Sequence, residues 1–163
     1  MPPDGPPREI ERKFLVDGDG WRGAVRRERK IRQAYLARTG AAQVRVRIVD
    51  GDEAKLTIKS ADPERTRTEF EYDIPVEEAL AMLELATGAV IEKTRFVVPE
   101  SGGREWEIDV FDHPLEGLVL AEIELNEEGE DIALPDWCGR EVTGDARFYN
   151  AELAEAGSPP EIE

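Results

Sequence analysis

Glu9-Ile10-Glu11-Arg12-Lys13-Phe14-Leu15-Val16 is the stretch that decides how the rest of the chain is read. Side chains on a strand alternate between faces, and neighbours on one face lie about 6.5 Å apart. If this octet is a strand, Glu9, Glu11 and Lys13 share one face while Ile10 points the other way. Two carboxylates and an ammonium within reach of one another make a face suited to ions.

The same alternation recurs along the chain with changes of sign. One face carries Arg45 and Arg47; Lys55, Thr57 and Lys59; Glu69, Glu71 and Asp73; Lys93 and Arg95; Glu105, Glu107 and Asp109; and Glu122 and Glu124. The opposite positions are apolar: Val44, Val46 and Ile48; Leu56 and Ile58; Phe70, Tyr72 and Ile74; Trp106, Ile108 and Val110; Ala121, Ile123 and Leu125. Period two over such runs predicts half-buried strands. They are expected at 9–16, 30–37, 43–50, 53–60, 67–74, 89–98, 104–111 and 119–126. Asp50-Gly51-Asp52 supplies a turn between two of them.

Helices are fewer. A short one is expected over Trp21 to Glu28. A second opens at Pro75-Val76-Glu77-Glu78, with acids in its first turn, Val76, Leu80, Leu83 and Ala86 near helical spacing, and Gly88 as its stop. A third runs from about Asp145 to Ala156 and buries Phe148, Leu153 and Tyr149. The Pro-rich ends, residues 1–7 and 157–163, are expected to fray, which leaves one domain over 8–156. The fold class is mainly β (α+β). Eight consecutive antiparallel strands are expected to curl into a closed barrel or a deep half-pipe with a few flanking helices, since closure removes exposed edges.

Charge sets the class of partner. The chain has 163 residues, with 21 Lys and Arg against 37 Asp and Glu, for a net charge of −16. That balance opposes non-specific attraction to nucleic acid or to an anionic membrane, so a polyanion needs a shielded local cluster of cations. No run of about 18 apolar residues is present to span a bilayer. The single cysteine, Cys138, excludes an intramolecular disulfide and a Cys-rich zinc site. The absence of a signal-like start makes the cytoplasm the expected compartment.

Two readings of the ionic face remain open at this point. In one it is simply solvated. In the other it is turned inward, with the apolar face outside and covered by helices. Like charges about 6.5 Å apart repel by roughly 0.6 kcal/mol in water and roughly 2.5 kcal/mol at an effective dielectric of about 20, so their repetition points to a use. Arg grips phosphate bidentately and Lys as a point charge. Hard cations such as Mg²⁺ and Mn²⁺ prefer carboxylate oxygens. On the inward reading the ligand is a metal-complexed polyphosphate.

At Glu9-Ile10-Glu11-Arg12-Lys13-Phe14-Leu15, Val44-Arg45-Val46-Arg47, Leu56-Thr57-Ile58-Lys59-Ser60, Glu69-Phe70-Glu71-Tyr72, Glu92-Lys93-Thr94-Arg95-Phe96, Asp109-Val110-Phe111 and Ala121-Glu122-Ile123-Glu124-Leu125, the chain resembles the CYTH superfamily of triphosphate tunnel metalloenzymes. Residues 142–150 look like that family's C-terminal motif. The resemblance implies an eight-stranded tunnel that binds a triphosphate and one or two divalent cations, Mg²⁺ or Mn²⁺. It implies phosphate-binding roles for Lys13, Arg45, Arg47, Lys59, Lys93 and Arg95, with Arg147 as an addition, and metal-binding roles for Glu9, Glu11, Glu122 and Glu124. Together with Lys13 these four glutamates form the expected catalytic set, and Glu69, Glu71 and Asp109 are further acidic lining.

The implied reaction is hydrolysis of inorganic triphosphate to diphosphate and phosphate. The alternatives are a nucleoside or thiamine triphosphatase, a class IV adenylyl cyclase, and a non-catalytic polyphosphate or nucleotide binder. A monomer or a homodimer fits equally. Lys55 and Glu107 are expected in flanking salt bridges, Tyr35, Trp21, Trp106 and Trp137 in packing, and His113 in a turn without a catalytic part.

Overall fold

Period-two alternation becomes one antiparallel sheet in the computed structural model, which describes residues 10–60, 68–127 and 129–162. Its strands are β1 (Ile10–Val16), β2 (Arg27–Arg38), β3 (Ala42–Val49), β4 (Glu53–Ser60), β5 (Glu69–Asp73), β6 (Ile91–Pro99), β7 (Glu105–Phe111), β8 (Val119–Leu125) and β9 (Cys138–Glu141). They lie in the order β5-β4-β3-β2-β6-β7-β8-β1-β9. Among the described residues no ladder joins β5 to β9, so hydrogen bonds do not close the sheet and the expected barrel closure is not observed. The expected count of eight strands also falls short by β9, which pairs with β1 across an irregularity between Phe14 and Val16. Cys138-Gly139-Arg140-Glu141 is short and carries no apolar alternation, so nothing in it reads as a strand.

Register puts the ionic residues of neighbouring strands side by side. Lys13 pairs with Glu122 and Glu11 with Glu124; Glu107 pairs with Glu122; Arg95 pairs with Asp109. On the other half, Arg29 pairs with Arg95, Gln33 with Arg47, Tyr35 with Arg45, and Arg45 in turn with Thr57. Because every pair keeps the same side, a single face collects the charged positions from β1 to β8.

The opposite face is apolar and covered. Over β2 to β4 it holds Ala34, Val46, Ile48 and Ala54 against Ala79 and Leu83 of α1 (Val76–Leu83). Over β1 and β6 to β8 it holds Phe14, Trp106, Ile108 and Ile123, with Trp21 and Trp137 packed over them. The inward reading of the ions is therefore the one adopted, with the oil outside and roofed.

The helices differ from expectation in extent. Trp21 to Glu28 yields only a 3₁₀ turn, Arg22–Ala24, because Val25 is extended and β2 begins already at Arg27 against Val97 of β6. Helix α1 stops at Leu83, well before Gly88, and turns Ala79 inward while Leu80 is 45% exposed. The last helix is broken: a 3₁₀ turn, Ala146–Phe148, is capped by the Asp145 carboxylate accepting from Arg147 N–H, and α2 (Asn150–Ala156) follows only after Tyr149 takes an extended conformation. Phe148 and Leu153 are buried as expected, whereas Tyr149 is exposed. Among the described residues no helix is long and apolar enough to cross a membrane.

The ionic face is not ionic throughout. At one end its register positions are Leu15, Tyr35, Ile91, Phe111 and Leu120, which cluster with Phe148, Ala151, Leu153 and Ala154. That apolar end seats α2 on the inner face, and the close approach of Gly88 to Ala154 fixes it there; a Cβ on Gly88 would lie 2.6 Å from the Ala154 carbonyl oxygen.

Candidate functional site

Strands β1 and β8 build an acidic corner around one lysine. Lys13 is buried, with Nζ 3.1 Å from Glu122 Oε1 and donating to the Phe148 carbonyl at 3.0 Å. The break at Tyr149 is what leaves that carbonyl available to it. The Glu11 carboxyl lies within reach of Glu122 and adds to the lowering of its proton affinity. Burial works most strongly against the Glu122 charge, but Lys13 and Lys93 together with Glu11 outweigh it and the carboxyl stays below the usual range. Glu124 is exposed beside them, opposite Glu11. Glu9 lies outside the described residues.

Strands β6 and β7 place a second, deeper cluster. Asp109, 4% exposed, meets Lys93 Nζ at 2.7 Å and accepts from Arg95 Nε at 2.8 Å and Nη2 at 3.0 Å. Lys93 also donates to Asn150 Oδ1 on α2 at 3.2 Å. Burial pushes the Lys93 ammonium down to about 8, with Arg95 and Arg47 adding to the effect and Asp109 opposing it. For Arg95 burial is again the largest influence and lowers its affinity for protons, yet Asp109 and Glu107 overcome it and hold the guanidinium above its ordinary value. The same two cations drive the Asp109 carboxyl far below the usual range against its desolvation.

The third group lies on β2, β3 and β4. Arg47 is held by Gln33, whose Oε1 accepts from Nε at 2.8 Å. Burial, and then the like charges of Arg45 and Arg95, lower Arg47 to about 10. Arg47 sits on β3 and Arg95 on β6, two strands away, so their mutual influence shows cations converging over the sheet. A cavity of about 90 Å³ opens between them, lined by Arg29, Arg47, Arg95 and Glu107 among others. Gln33 Nε2, Arg45 Nε and Thr57 Oγ1 are buried with no hydrogen-bond partner among the described residues. Such groups are uncommon in folded proteins, and each costs about 1–3 kcal/mol.

The remaining expected residues are peripheral. Lys59 is half-buried on β4, opposite Glu69. Glu71 and Asp73 on exposed β5 hold Lys55 at 3.1 and 3.3 Å, and Glu107 reaches Arg95 at 3.5 Å, so both flanking residues do make salt bridges. Arg147 is half-exposed, with Nη2 2.7 Å from Asp145 and Nη1 donating to the Glu161 carbonyl at 3.3 Å. His113 is exposed in its turn. Burial raises the Cys138 thiol to about 11, which removes it from thiolate chemistry near neutrality. A larger cavity of about 630 Å³ lies at the β2–β3 turn and α2, where Arg38 is held by Glu152 and Glu155 at 2.7 and 2.6 Å; its main charge is already answered.

Reading the sequence for this face missed Gln33 and Arg29. Both fall on the register of β2 that runs Arg29, Ile31, Gln33, Tyr35, and continuing the alternation one strand further marks them. Among the described residues no group of three or more His, Cys, Asp or Glu forms a ready metal cage. The pair Glu11 and Glu122 nevertheless fits a hard cation of the Mg²⁺ type, which takes one or two carboxylates and completes its shell with phosphate oxygens and water.

A family model for the CYTH domain matches residues 7–149. The inorganic triphosphatase of Acetivibrio thermocellus is 43% identical over 149 residues, which cover 91% of this chain and 94% of that protein. That of Nitrosomonas europaea is 38% identical over 151 residues, 90% of this chain and 96% of that protein. A crystal structure of an inorganic triphosphatase is 33% identical and superposes with a TM-score of 0.69, covering 92% of this chain and 96% of the other.

Proposed function

The chain belongs to the CYTH domain family, and from that premise we propose that it hydrolyses inorganic triphosphate to diphosphate and phosphate with the help of Mg²⁺ or Mn²⁺. The observation that carries the reading is a surplus of inward-facing positive charge. Arg45, Arg47, Lys93 and Arg95 crowd one face, where among the described residues Asp109 and, at 3.5 Å, Glu107 are the carboxylates in salt bridges with them. Burial is the main cause of the lowered proton affinity of Lys93 and Arg47, but neighbouring cations add to it in both, and a triphosphate brings the opposite charge to that cluster.

In this reading Lys13, Arg45, Arg47, Lys59, Lys93 and Arg95 hold phosphoryl oxygens, with Arg147 at the margin on Asp145. Glu11, Glu122 and Glu124, with Glu9 from the same strand pattern, hold the divalent ion. When bound, such an ion neutralises phosphate oxygens and lowers the pKa of a water. Lys13 then sits between the two walls, its ammonium held by Glu122 and the Phe148 carbonyl and carrying a third N–H to offer to phosphate. Asp109 keeps Lys93 and Arg95 in place before substrate arrives, so binding needs little reorganisation. Glu69 and Glu71 form an outer acidic rim beside Lys55 and Lys59.

The test is a panel of inorganic triphosphate, ATP and thiamine triphosphate with Mg²⁺, Mn²⁺ or EDTA, followed by phosphate release. Triphosphate with metal is expected to be fastest and to yield one phosphate per diphosphate. Faster turnover of ATP, or cyclic AMP from it, overturns the substrate assignment. Tight triphosphate binding without turnover in saturating metal makes the protein a sensor instead.

A further inference from the structure

Gln33 and Thr57 are the neutral polar side chains set deepest into the ionic face, at 0% and 2% exposure. Neither belongs to the charged set described so far. Gln33 stands opposite Arg47, Thr57 opposite Arg45, and the two arginines are two residues apart on β3. The four residues therefore form one contiguous patch over β2, β3 and β4.

The orientation of the Gln33 amide is settled by its partner. A guanidinium can only donate, so the end of Gln33 that meets Arg47 Nε at 2.8 Å is Oε1. Its Nε2, with two N–H donors, has no partner among the described residues; Arg45 Nε and Thr57 Oγ1 are equally unmet there. Two of these three groups can only donate, and the hydroxyl can rotate to do so. A buried patch that offers donors and asks for acceptors fits an acceptor-only ligand, and phosphoryl oxygen is one.

We infer that Gln33 Nε2 and Thr57 Oγ1 donate hydrogen bonds to phosphoryl oxygens of the bound triphosphate, while Gln33 Oε1 positions Arg47 for the same anion. The inference rests on the triphosphate reading above and adds an uncharged half to the substrate site. Neutral donors suit this place for a physical reason. Arg45, Arg47, Lys93 and Arg95 already share this face, where like charges add to the lowering that burial imposes on Arg47 and Lys93, and a fifth cation would deepen that repulsion. An amide and a hydroxyl add hydrogen bonds to phosphate without adding charge.

Three variants test it: Thr57→Val, which keeps the shape and removes the hydroxyl; Gln33→Glu, which keeps an acceptor for Arg47 but replaces the donor with a negative oxygen; and Gln33→Met, which removes both. Melting is measured without ligand and with inorganic triphosphate. Triphosphate affinity is measured by calorimetry in EDTA, and KM and kcat with Mg²⁺. Thr57→Val and Gln33→Glu are expected to melt at or above the wild-type temperature without ligand, since each removes an orphaned group or adds an ion pair. Both are expected to lose about tenfold to a hundredfold in affinity, the range for a hydrogen bond to a charged group, with the change in KM rather than kcat. Gln33→Met is expected to lose affinity by more than Thr57→Val because Arg47 is released as well.

A lower melting temperature with unchanged affinity in Thr57→Val and Gln33→Glu assigns both residues a structural role and overturns the inference. Triphosphate binding by the wild type that these variants weaken, without any hydrolysis, removes the enzymatic reading but upholds the donors. No binding by the wild type removes both.

Discussion

Replacing Asp109 with Asn tests whether the deep cluster is held together by one buried charge. The substitution keeps the shape of the side chain and takes away the carboxylate that meets Lys93 at 2.7 Å and Arg95 at 2.8 and 3.0 Å. Lys93 is then left with Asn150 Oδ1, and Arg95 with Glu107 at 3.5 Å. Breaking a buried pair by removing one partner costs about 3–5 kcal/mol, because the other charge stays desolvated. For a chain of this length about 2–4 °C is lost per kcal/mol, so the melting temperature should fall by about 6–20 °C. Lys93 would also shed its proton more readily, since Asp109 is the group that opposes its depression to about 8. Two further measurements separate charge from packing. Adding Lys93→Met to Asp109→Asn should recover roughly 1–3 kcal/mol by removing the stranded ammonium, a coupling within the range seen for contacting residues. Excess triphosphate, worth about 2.7 kcal/mol at a hundred times its Kd, should stabilise Asp109→Asn at pH 6.5 by at least as much as the wild type. A loss below about 1 kcal/mol in urea unfolding, or a double variant no more stable than Asp109→Asn, would refute the account.

Three other outcomes follow from the same geometry. Glu11→Ala and Glu122→Ala should each slow metal-dependent phosphate release by about a thousandfold, the scale of the several kcal/mol that a metal contributes, and retained rates would contradict the carboxylate assignment. Lys93 holds its proton less tightly folded, at about 8, than at its ordinary 10.5, so the unfolded chain binds more protons between those values. Stability should therefore rise with pH across that window by about 3 kcal/mol relative to Lys93→Met, read from urea midpoints, and KM for triphosphate should climb above pH 8 as the ammonium is lost. Gly88→Ala forces a Cβ to 2.6 Å from the Ala154 carbonyl and should cost about 1–3 kcal/mol in thermal or chemical unfolding, by lifting α2 from the sheet.

The ionic face was legible because a strand leaves a simple trace. Alternation at Glu9 to Val16 and its repeats assigns each side chain to a face whatever the neighbours do. Register does not leave such a trace: that Gln33 stands against Arg47, or Arg29 against Arg95, depends on pairing between segments far apart in sequence, so their place in the site was not visible. The same limit hid the apolar end of that face. Leu15, Ile91, Phe111 and Leu120 continue the charged register of their strands, and only α2 lying over them tells where ions give way to oil. The broken last helix has a related cause. A continuous helix over 145–156 satisfies local periodicity, whereas the extended Tyr149 frees the Phe148 carbonyl for Lys13 and brings Asn150 to Lys93, gains that come entirely from tertiary contact. Closure of the sheet was expected from the general cost of exposed edges, a rule that says nothing about which edge a given chain leaves open.

An acidic chain that binds a polyanion looks contradictory until the two length scales are separated. The net charge of −16 acts at a distance, where it repels nucleic acids and other extended polyanions. At physiological salt it is screened within about 8 Å, so a small anion can approach the mouth of the site at little cost. Inside, water is largely excluded from Lys93 and Arg47, and each charge counts for several times its value in solvent. The same exclusion explains why the site cannot simply be filled with more cations: their repulsion is amplified equally. In the site as proposed, Asp109 at the centre and the neutral donors Gln33 and Thr57 beside the arginines are the two means of reaching a high density of phosphate contacts without a positive charge too large to fold around.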